Sequence, residues 1–560
     1  MKIMIKKILP MLCLLFSLNA CTDLDVEVKS EYTEDNFPLT QADMEAVCGP
    51  AYTSFKADFG RSFWLMVTTS ADEAVMVTND NNWYDKGYYG EFVLHSWTID
   101  NSMTTASFEG LFKSISTCNQ ILSILEKAPE TDYRRQAIAE VKTMRALYYF
   151  WAMDNFGNLP IIETFGSKAP EQSSRAEVAE FLKNDLLACM GDLTTKVDNT
   201  TYGKPTKYMA QAILAKLYLN WGVYTASDIT KYEPTDSNKG SNPHLDDLVA
   251  ICDEIIDSGK FNLSDDWLEK FKHTNGPHIK DFIFAFPYTW SHKDGNVHYR
   301  FWGHKFFEQT LGSKKRPSGP LRAVPEFVDK FNLEGDVRNK IWRGGLQYLE
   351  KEPTTPYIVN LSKKTIDKYY AGEDGENKID WHFELTKDLV IRGKNQTEIN
   401  ENIRQLNLGN DELGLAMGYR NVKFFPNLES TEHDQDNDIP IFRYADILMM
   451  KAEALLRGTT PTKGDTPASL VNQIRDCAKA PNVDTITLEE LLDERAREFA
   501  DEYWRRNDLI RFGKFEDDWG LKKASLGTSN NEKYRRIFSI PRKFMELNPT
   551  WEQNAGYTEN

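Results

Sequence analysis

In the stretch KYMAQAILAKLYLNWG (207–222), Ala210, Ile213, Leu214, Leu217, Tyr218 and Trp221 recur at intervals of three and four, so they share one side of a helix and predict that this side is packed. The same period predicts helices over 104–127, 133–154, 175–193, 245–258, 440–457, 467–479 and 487–511, with short turns containing Gly, Pro or Asp between neighbours. The pairs 207–222 with 245–258 and 440–457 with 467–479 place Ala at close-contact positions and aromatics beside them. That pattern resembles degenerate tetratricopeptide helix pairs whose repeat is interrupted by insertions. A mainly α protein built on stacked helix pairs is therefore predicted. Between 260 and 439 the helical period lapses into short apolar runs such as DFIFAFPYTW and KDLVIRG among Gly, Pro, Asn and Asp. A structureless stretch of that length does not fit a compact fold unless it packs as a loop-rich lobe bearing functional surfaces. The chain thus divides into an N-terminal helical region (42–259), a loop-rich, ligand-facing lobe (260–439) and C-terminal helices with a tail (440–560).

The first residues follow a different pattern. MKIMIKKILPMLCLLFSLNAC has three lysines, an apolar run from Ile8 to Phe16, and then Leu18, Asn19 and Ala20 before Cys21. This is the layout of an export signal ending in a bacterial lipobox. It predicts cleavage after residue 20, acylation of Cys21 and a polar, acidic tether over 21–41. Acyl chains contribute roughly 0.8 kcal/mol per buried CH₂, so several hold a protein at a membrane without a spanning helix. No later stretch approaches the ~18 to 20 consecutive apolar residues that spanning requires.

Composition narrows the function. The 560 residues are 41% hydrophobic and 12% aromatic, enough to bury a large core. A formal net charge of -17, with both signs mixed along the chain, argues against a nucleic-acid partner. Beyond Cys13 and Cys21, the cysteines at 48, 118, 189, 252 and 477 are far apart and form no CxxC pair, so they read as small buried apolar residues with at most an incidental disulfide.

Four segments carry a family resemblance. AEVKTMRALYYFWAMDNFGNLPIIE (139–163), FRYADILMMKAEALLRG (442–458), ERAREFADEYWRRNDLIRFGKF (494–515) and IPRKFMELNPTWEQNAGY (540–557) resemble, in the expected order, the SusD/RagB family of Bacteroidetes outer-membrane nutrient-binding lipoproteins. The departures are Ala555 where the family usually has proline, and DEYWRR in place of a Gly-containing sequence. The resemblance implies a scaffold of tetratricopeptide-like pairs beside a variable face, lipid-anchored on the extracellular side of the outer membrane. It further implies a lid over a SusC-like TonB-dependent transporter, delivering oligosaccharides or, in some members, peptides.

The candidate site begins at NDNNWYDKGYYG (79–90), where large aromatics stand among turn-forming residues. A sugar ring has an apolar C–H face and a rim of hydroxyls, so it is bound by exposed aromatic platforms bordered by amides and carboxylates. On that ground Trp83 and Tyr84 are the expected platforms, and Asn81, Asn82 and Asp85 the hydroxyl partners. The loop follows TTSADEAVM and also resembles the family's aromatic binding loop in its placement. A second cluster, Trp290, Tyr299 and Trp302 with Arg300 as donor, is expected to extend the platform, with Arg392 and Arg420 as weaker candidates. The bland alternative for each aromatic is core packing.

Other chemistries have less support. In 494–511, Asp501 with Arg505 and Glu502 with Arg506 have i,i+4 spacing, which predicts surface helix pairs contributing a few tenths of a kcal/mol each. His292, His298 and His304 recur every six residues, unlike zinc ligands. Asp434, Asp436 and Asp438 have calcium-loop spacing, but Ile439 and Ala445 replace the Gly and Glu that an EF-hand requires. No HExxH, GxSxG or Walker-type loop occurs, which removes the easily read hydrolase and nucleotide-binding classes, and it is the family resemblance that implies no catalytic residue and no cofactor. A pair of carboxylates for glycoside hydrolysis is not excluded by sequence. A glycan-binding surface lipoprotein is the leading reading, with a peptide-binding RagB-like protein or a surface glycoside hydrolase as alternatives.

Overall fold

The computed structural model describes residues 37–557 except 169, 235–241, 264–265, 293–294, 363–364, 366–379 and 524–529. The predicted export segment, Cys21 and most of the tether lie outside the described residues.

Polar caps set where the helices start. Helix α1 (Gln41–Thr53) opens on a capping box of Thr40 and Asp43. In α2 (Ser102–Leu125) the Asn101 side chain accepts from the N–H groups of Met103 and Thr104, and in α3 (Asp132–Phe156) Thr131 caps Arg134. Ser174 and Glu177 box the start of α4 (Arg175–Cys189), and Thr206 caps α5 (Lys207–Leu219). Next come α6 (Leu245–Asp257), the single-turn α7 (His298–Trp302) and α8 (Gln396–Gln405). Helix α9 (Tyr444–Leu456) precedes α10 (Pro467–Ala478), which has Pro at its first position behind a Thr466 box. Thr487 and Glu490 box α11 (Leu488–Phe499), and α12 (Arg505–Arg511) follows. Each cap satisfies donors that would otherwise lack partners, an effect of about 1 kcal/mol.

The helices stack in order: α2 on α3, α3 on α4, α5 on α6, α6 on α9 and α9 on α10. A single apolar cluster runs from Met44 to Trp551 and includes nearly every residue of α3 from Ala146 to Phe156.

Two predicted helices are corrected. Residues 440–443 belong to a strand, β6 (Ile439–Arg443), which pairs antiparallel with β2 (Phe282–Phe286). An apolar run this short fits either period, and the partner strand decides it. The predicted helix 487–511 breaks at 500–504, where Asp501 and Tyr503 have φ of 63° and 72°. The i,i+4 pairs therefore do not form. Arg505 instead pairs with Asp72 at 2.7 Å, and Glu502 with Arg443 at 2.8 Å. These groups are buried, not on a solvated helix face.

Short antiparallel ladders join residues 260–439 to the segments before and after them, the pair of β2 with β6 being the C-terminal link. Strand β1 (Ala74–Met76) pairs with β3 (Leu321–Ala323), and β4 (Trp342–Arg343) pairs with β5 (Arg420–Asn421). A bond from the Ala323 N–H to the Tyr419 carbonyl joins β3 to the segment leading into β5.

Candidate functional site

Residues 78–80 are pinned to the end of α8. The Thr78 N–H donates to the Leu406 carbonyl at 3.1 Å, its hydroxyl to the Gln405 carbonyl at 2.7 Å, and the Asp80 N–H to Asn407 Oδ1 at 2.9 Å. Asn79 and Asn82 exchange backbone hydrogen bonds, each 3.1 Å long. Within this clamp Asp80, Trp83, Asp85 and Lys86 adopt left-handed backbone, with φ of 54°, 65°, 42° and 59°. For a bulky residue such as Trp83 that conformation is uncommon and costs of order 1–3 kcal/mol, so it persists only where its surroundings dictate it.

The result is an aromatic edge above α7. Trp83 is half-buried, its ring centroid 5.3 Å from Phe301, with the Arg300 guanidinium carbon 5.8 Å from the same ring. Tyr84 is 40% exposed, and Asn81, Asn82 and Asp85 are exposed around it. The two sequence clusters therefore meet through Trp83, Arg300 and Phe301. Phe301 carries the contact and is fully buried; no sequence signal distinguished it from its aromatic neighbours.

Tyr299 and Trp302 are corrected from ligand-facing to core. Tyr299 is 5% exposed, and its hydroxyl donates to Ser313 and to the Lys315 carbonyl. Trp302 is 2% exposed, donates its indole N–H to Asp501 at 3.1 Å and packs edge-on to Trp342. Neither offers a ring face to solvent. Trp290 is half-buried, and its N–H donates to Asp436. The same turn supplies Asp434, whose charge acts on Arg300. Arg420 is fully buried and donates to the Met417 and Leu415 carbonyls, so it too is withdrawn, while Arg392 pairs with Asp411 at 2.8 Å.

Four of the residues weighed as metal ligands, His298, His304, Asp436 and Asp438, have other partners, and the side chain of His292 lies outside the described residues. His298 Nδ1 lies 2.8 Å from Asp501, and His304 Nδ1 accepts from the Phe306 N–H. Asp436 accepts from Trp290 and Asn427, and Asp438 from the Tyr288 N–H and the Tyr202 hydroxyl.

Asp501 ties this region to the scaffold. Its carboxylate accepts from the indoles of Trp64 and Trp302 and from His298, so both ends of α7 hang on one side chain. The Asp501 N–H donates to Glu73 at 2.9 Å. Glu73 is buried, and that burial, reinforced by the charges of Asp501 and Asp72, pushes its carboxyl up to about 8. Because its folded value lies above its unfolded one, the folded state holds a proton that the unfolded state releases. The contribution of Glu73 to stability is then fully present below about pH 4.5 and is lost as pH rises through about 8. Glu73→Gln mimics the protonated acid, so its melting temperature should fall less steeply than the wild type's between pH 5 and 9. Parallel melting curves for the two proteins would show that Glu73 is ionised throughout.

Comparison with known proteins bears on what this surface serves. A family model described as the SusD family matches residues 368–557, and a second, described as starch-binding associating with outer membrane, matches residues 24–219. The chain is a SusD-like protein. It is 25% identical over 481 residues to the starch-binding protein SusD of Bacteroides thetaiotaomicron, covering 82% of this chain and 80% of that one. It is 24% identical over 576 residues to SusD-like protein P38 of Formosa agariphila, covering 96% of each. Among solved structures, surface glycan-binding protein A from Bacteroides fluxus superposes with a TM-score of 0.65 at 19% identity, over 93% of this chain and 100% of that one. Surface glycan-binding protein A from Bacteroides thetaiotaomicron in complex with laminarihexaose superposes with a TM-score of 0.62 at 16% identity, over 91% and 98%. The mainly helical SusD-like fold is thus shared across nearly the whole described chain.

Proposed function

We propose that this SusD-like protein is a non-catalytic glycan-binding lipoprotein of the bacterial surface. It is anchored in the outer membrane through Cys21 and passes oligosaccharide or polysaccharide to a SusC-like TonB-dependent transporter. The observation that carries the proposal is the strained, clamped position of Trp83 over Arg300 and Phe301, with Asn81, Asn82, Tyr84 and Asp85 exposed beside it. A pre-formed aromatic edge loses little conformational freedom when a sugar ring stacks on it, and the amides and carboxylate reach the ring's hydroxyls. Similarity to a starch-binding protein, and in fold to a protein in complex with laminarihexaose, supports the same ligand class.

The test is calorimetric titration of the purified mature chain with polysaccharides, oligosaccharides and peptide mixtures, alongside Trp83→Ala. Saturable glycan binding is expected, and Trp83→Ala should weaken it by about 2 kcal/mol, roughly thirtyfold in Kd, with an unchanged melting temperature. Binding of peptides alone would overturn the proposal, as would cleavage of a glycan by the purified protein.

A further inference from the structure

Three arginines lie side by side where β3, β5 and β4 meet. Arg343 stands directly opposite Arg420 in the ladder, so the two share a side of the sheet, and Arg322 is close enough for its charge to act on Arg420. None of the three forms an ion pair among the described residues. Arg420 donates only to main-chain carbonyls, leaving Nε without a partner. Arg322 likewise leaves Nε and Nη2 unpartnered, and both side chains are fully buried. Arg343 donates through Nε and Nη2 to Gln347 and through Nη2 to the Thr310 carbonyl, and among the described residues no hydrogen bond uses its Nη1. Buried cations without counter-charge are costly, and burial lowers all three guanidinium pKa values, Arg322 to about 9.

Arg343 also lines a surface cleft of about 490 Å³ with Thr310, Trp342, Gln347, Tyr348 and Glu350. The indole N–H of Trp342 is buried and has no partner among the described residues. The cleft adjoins the Trp83 edge through α7, because Phe301 packs on Trp83 and Trp302 packs on Trp342 at 6.1 Å. The connecting sequence 298–322 holds six Lys and Arg against one Glu, in a chain whose net charge is -17. Lys314 is paired with Glu429, whereas Arg300 forms no ion pair among the described residues. This stretch is therefore basic within an acidic chain, with Glu350 the acidic residue lining the cleft and Asp434 the one acting on Arg300.

We propose that the Arg343 cleft receives a carboxylate or sulfate group carried by the glycan, and that the natural ligand is an acidic polysaccharide stacked on Trp83. Arg343 Nη1 and the Trp342 N–H donate to the anionic oxygens, and Arg322 and Arg420 supply positive potential from behind. Arg300 meets the chain beside the aromatic edge. This inference rests on the glycan-binding function proposed above and names the class of glycan.

The experiment titrates the full mature chain with oligogalacturonate (carboxylate), sulfated dextran (sulfate ester) and unmodified dextran (uncharged) at two salt concentrations, and repeats the titrations with Arg343→Gln and Arg300→Gln. The expected result is tight binding of one anionic probe, weakened by salt, and roughly tenfold weaker binding in Arg343→Gln. Which anionic probe binds tells carboxylate from sulfate. Unmodified dextran binding as tightly as both anionic probes, with no effect of salt, would overturn the acidic-ligand inference and leave the glycan function standing. No binding of any polysaccharide, here or in the wider titrations, would remove both. Unchanged affinity in a folded Arg343→Gln protein would remove the cleft assignment. Should Arg343→Gln not fold, salt dependence and Arg300→Gln, altered on the surface, still decide whether the ligand is anionic.

Discussion

Glu498→Ala is expected to cost about 3–5 kcal/mol of folding stability, because it leaves buried cations without their acceptor. The Glu498 carboxylate accepts from the Trp267 indole at 2.9 Å, from Arg443 at 2.8 Å and from Arg338 at 3.2 Å, and every one of these groups is buried. Burial by itself would raise its pKa, but the charges of Arg443, Lys270, Arg338 and Lys423 outweigh burial and lower it. Its neighbour Glu494 accepts from Arg338, Arg475 and Arg497 and is lowered to about 2 by the same balance. A lowered carboxylate contributes stability that is present above its unfolded value and lost as pH falls through its folded value. Acid unfolding should therefore draw on Glu494 progressively from about pH 4.5 down to about 2. Urea denaturation of Glu498→Ala at pH 7 measures the first effect. A loss below about 1 kcal/mol would mean that the cations find other partners or water, and that the network does not hold α11 against β6.

Asp501→Ala should fall nearly as far in stability and also lose ligand affinity, although Asp501 is buried beneath the site. The substitution strands the indoles of Trp64 and Trp302 and the ring of His298, and it places alanine at φ 63°, where Asp and Asn are tolerated better. A loss of roughly 3 kcal/mol follows from several buried donors left unsatisfied. Asp501→Asn keeps the backbone preference and one acceptor oxygen, so its loss should be smaller. Since His298 and Trp302 are the two ends of α7, releasing them frees Arg300 and Phe301 from beneath Trp83. Glycan affinity measured well below the melting temperature should drop in both variants. Full affinity in a destabilised Asp501→Asn protein would show that the clamp on residues 78–80 positions Trp83 by itself.

Much of the scaffold was legible in sequence because α-helices are local objects. The three-four spacing of apolar residues and the Thr or Ser caps lie within a few positions of one another, so 207–219, 245–257 and 467–478 end within a few residues of where periodicity put them. The loop at 79–90 was legible for the same reason, since Asn, Asp and Gly shape backbone at the position they occupy. The predicted loop-rich lobe has no such local code. Its ladders join residues as far apart as Ala74 and Ala323, and nothing near either residue announces the other.

Sequence alone determined the helical periods, their caps, the aromatic loop and the reading of the family from four motifs. Tertiary structure decided which charges and aromatics are buried. Residues 494–511 look like a solvated charged helix until Asp72, Arg338 and Arg443 arrive from distant segments to pair with them. Trp83 and Trp302 are chemically identical, and each has an apolar face and one N–H. The difference is that Asp501 accepts the indole proton of Trp302 in the interior, while left-handed backbone holds Trp83 half-exposed at the rim. Burial is a property of what surrounds a side chain, and those surroundings are assembled only when the chain closes on itself.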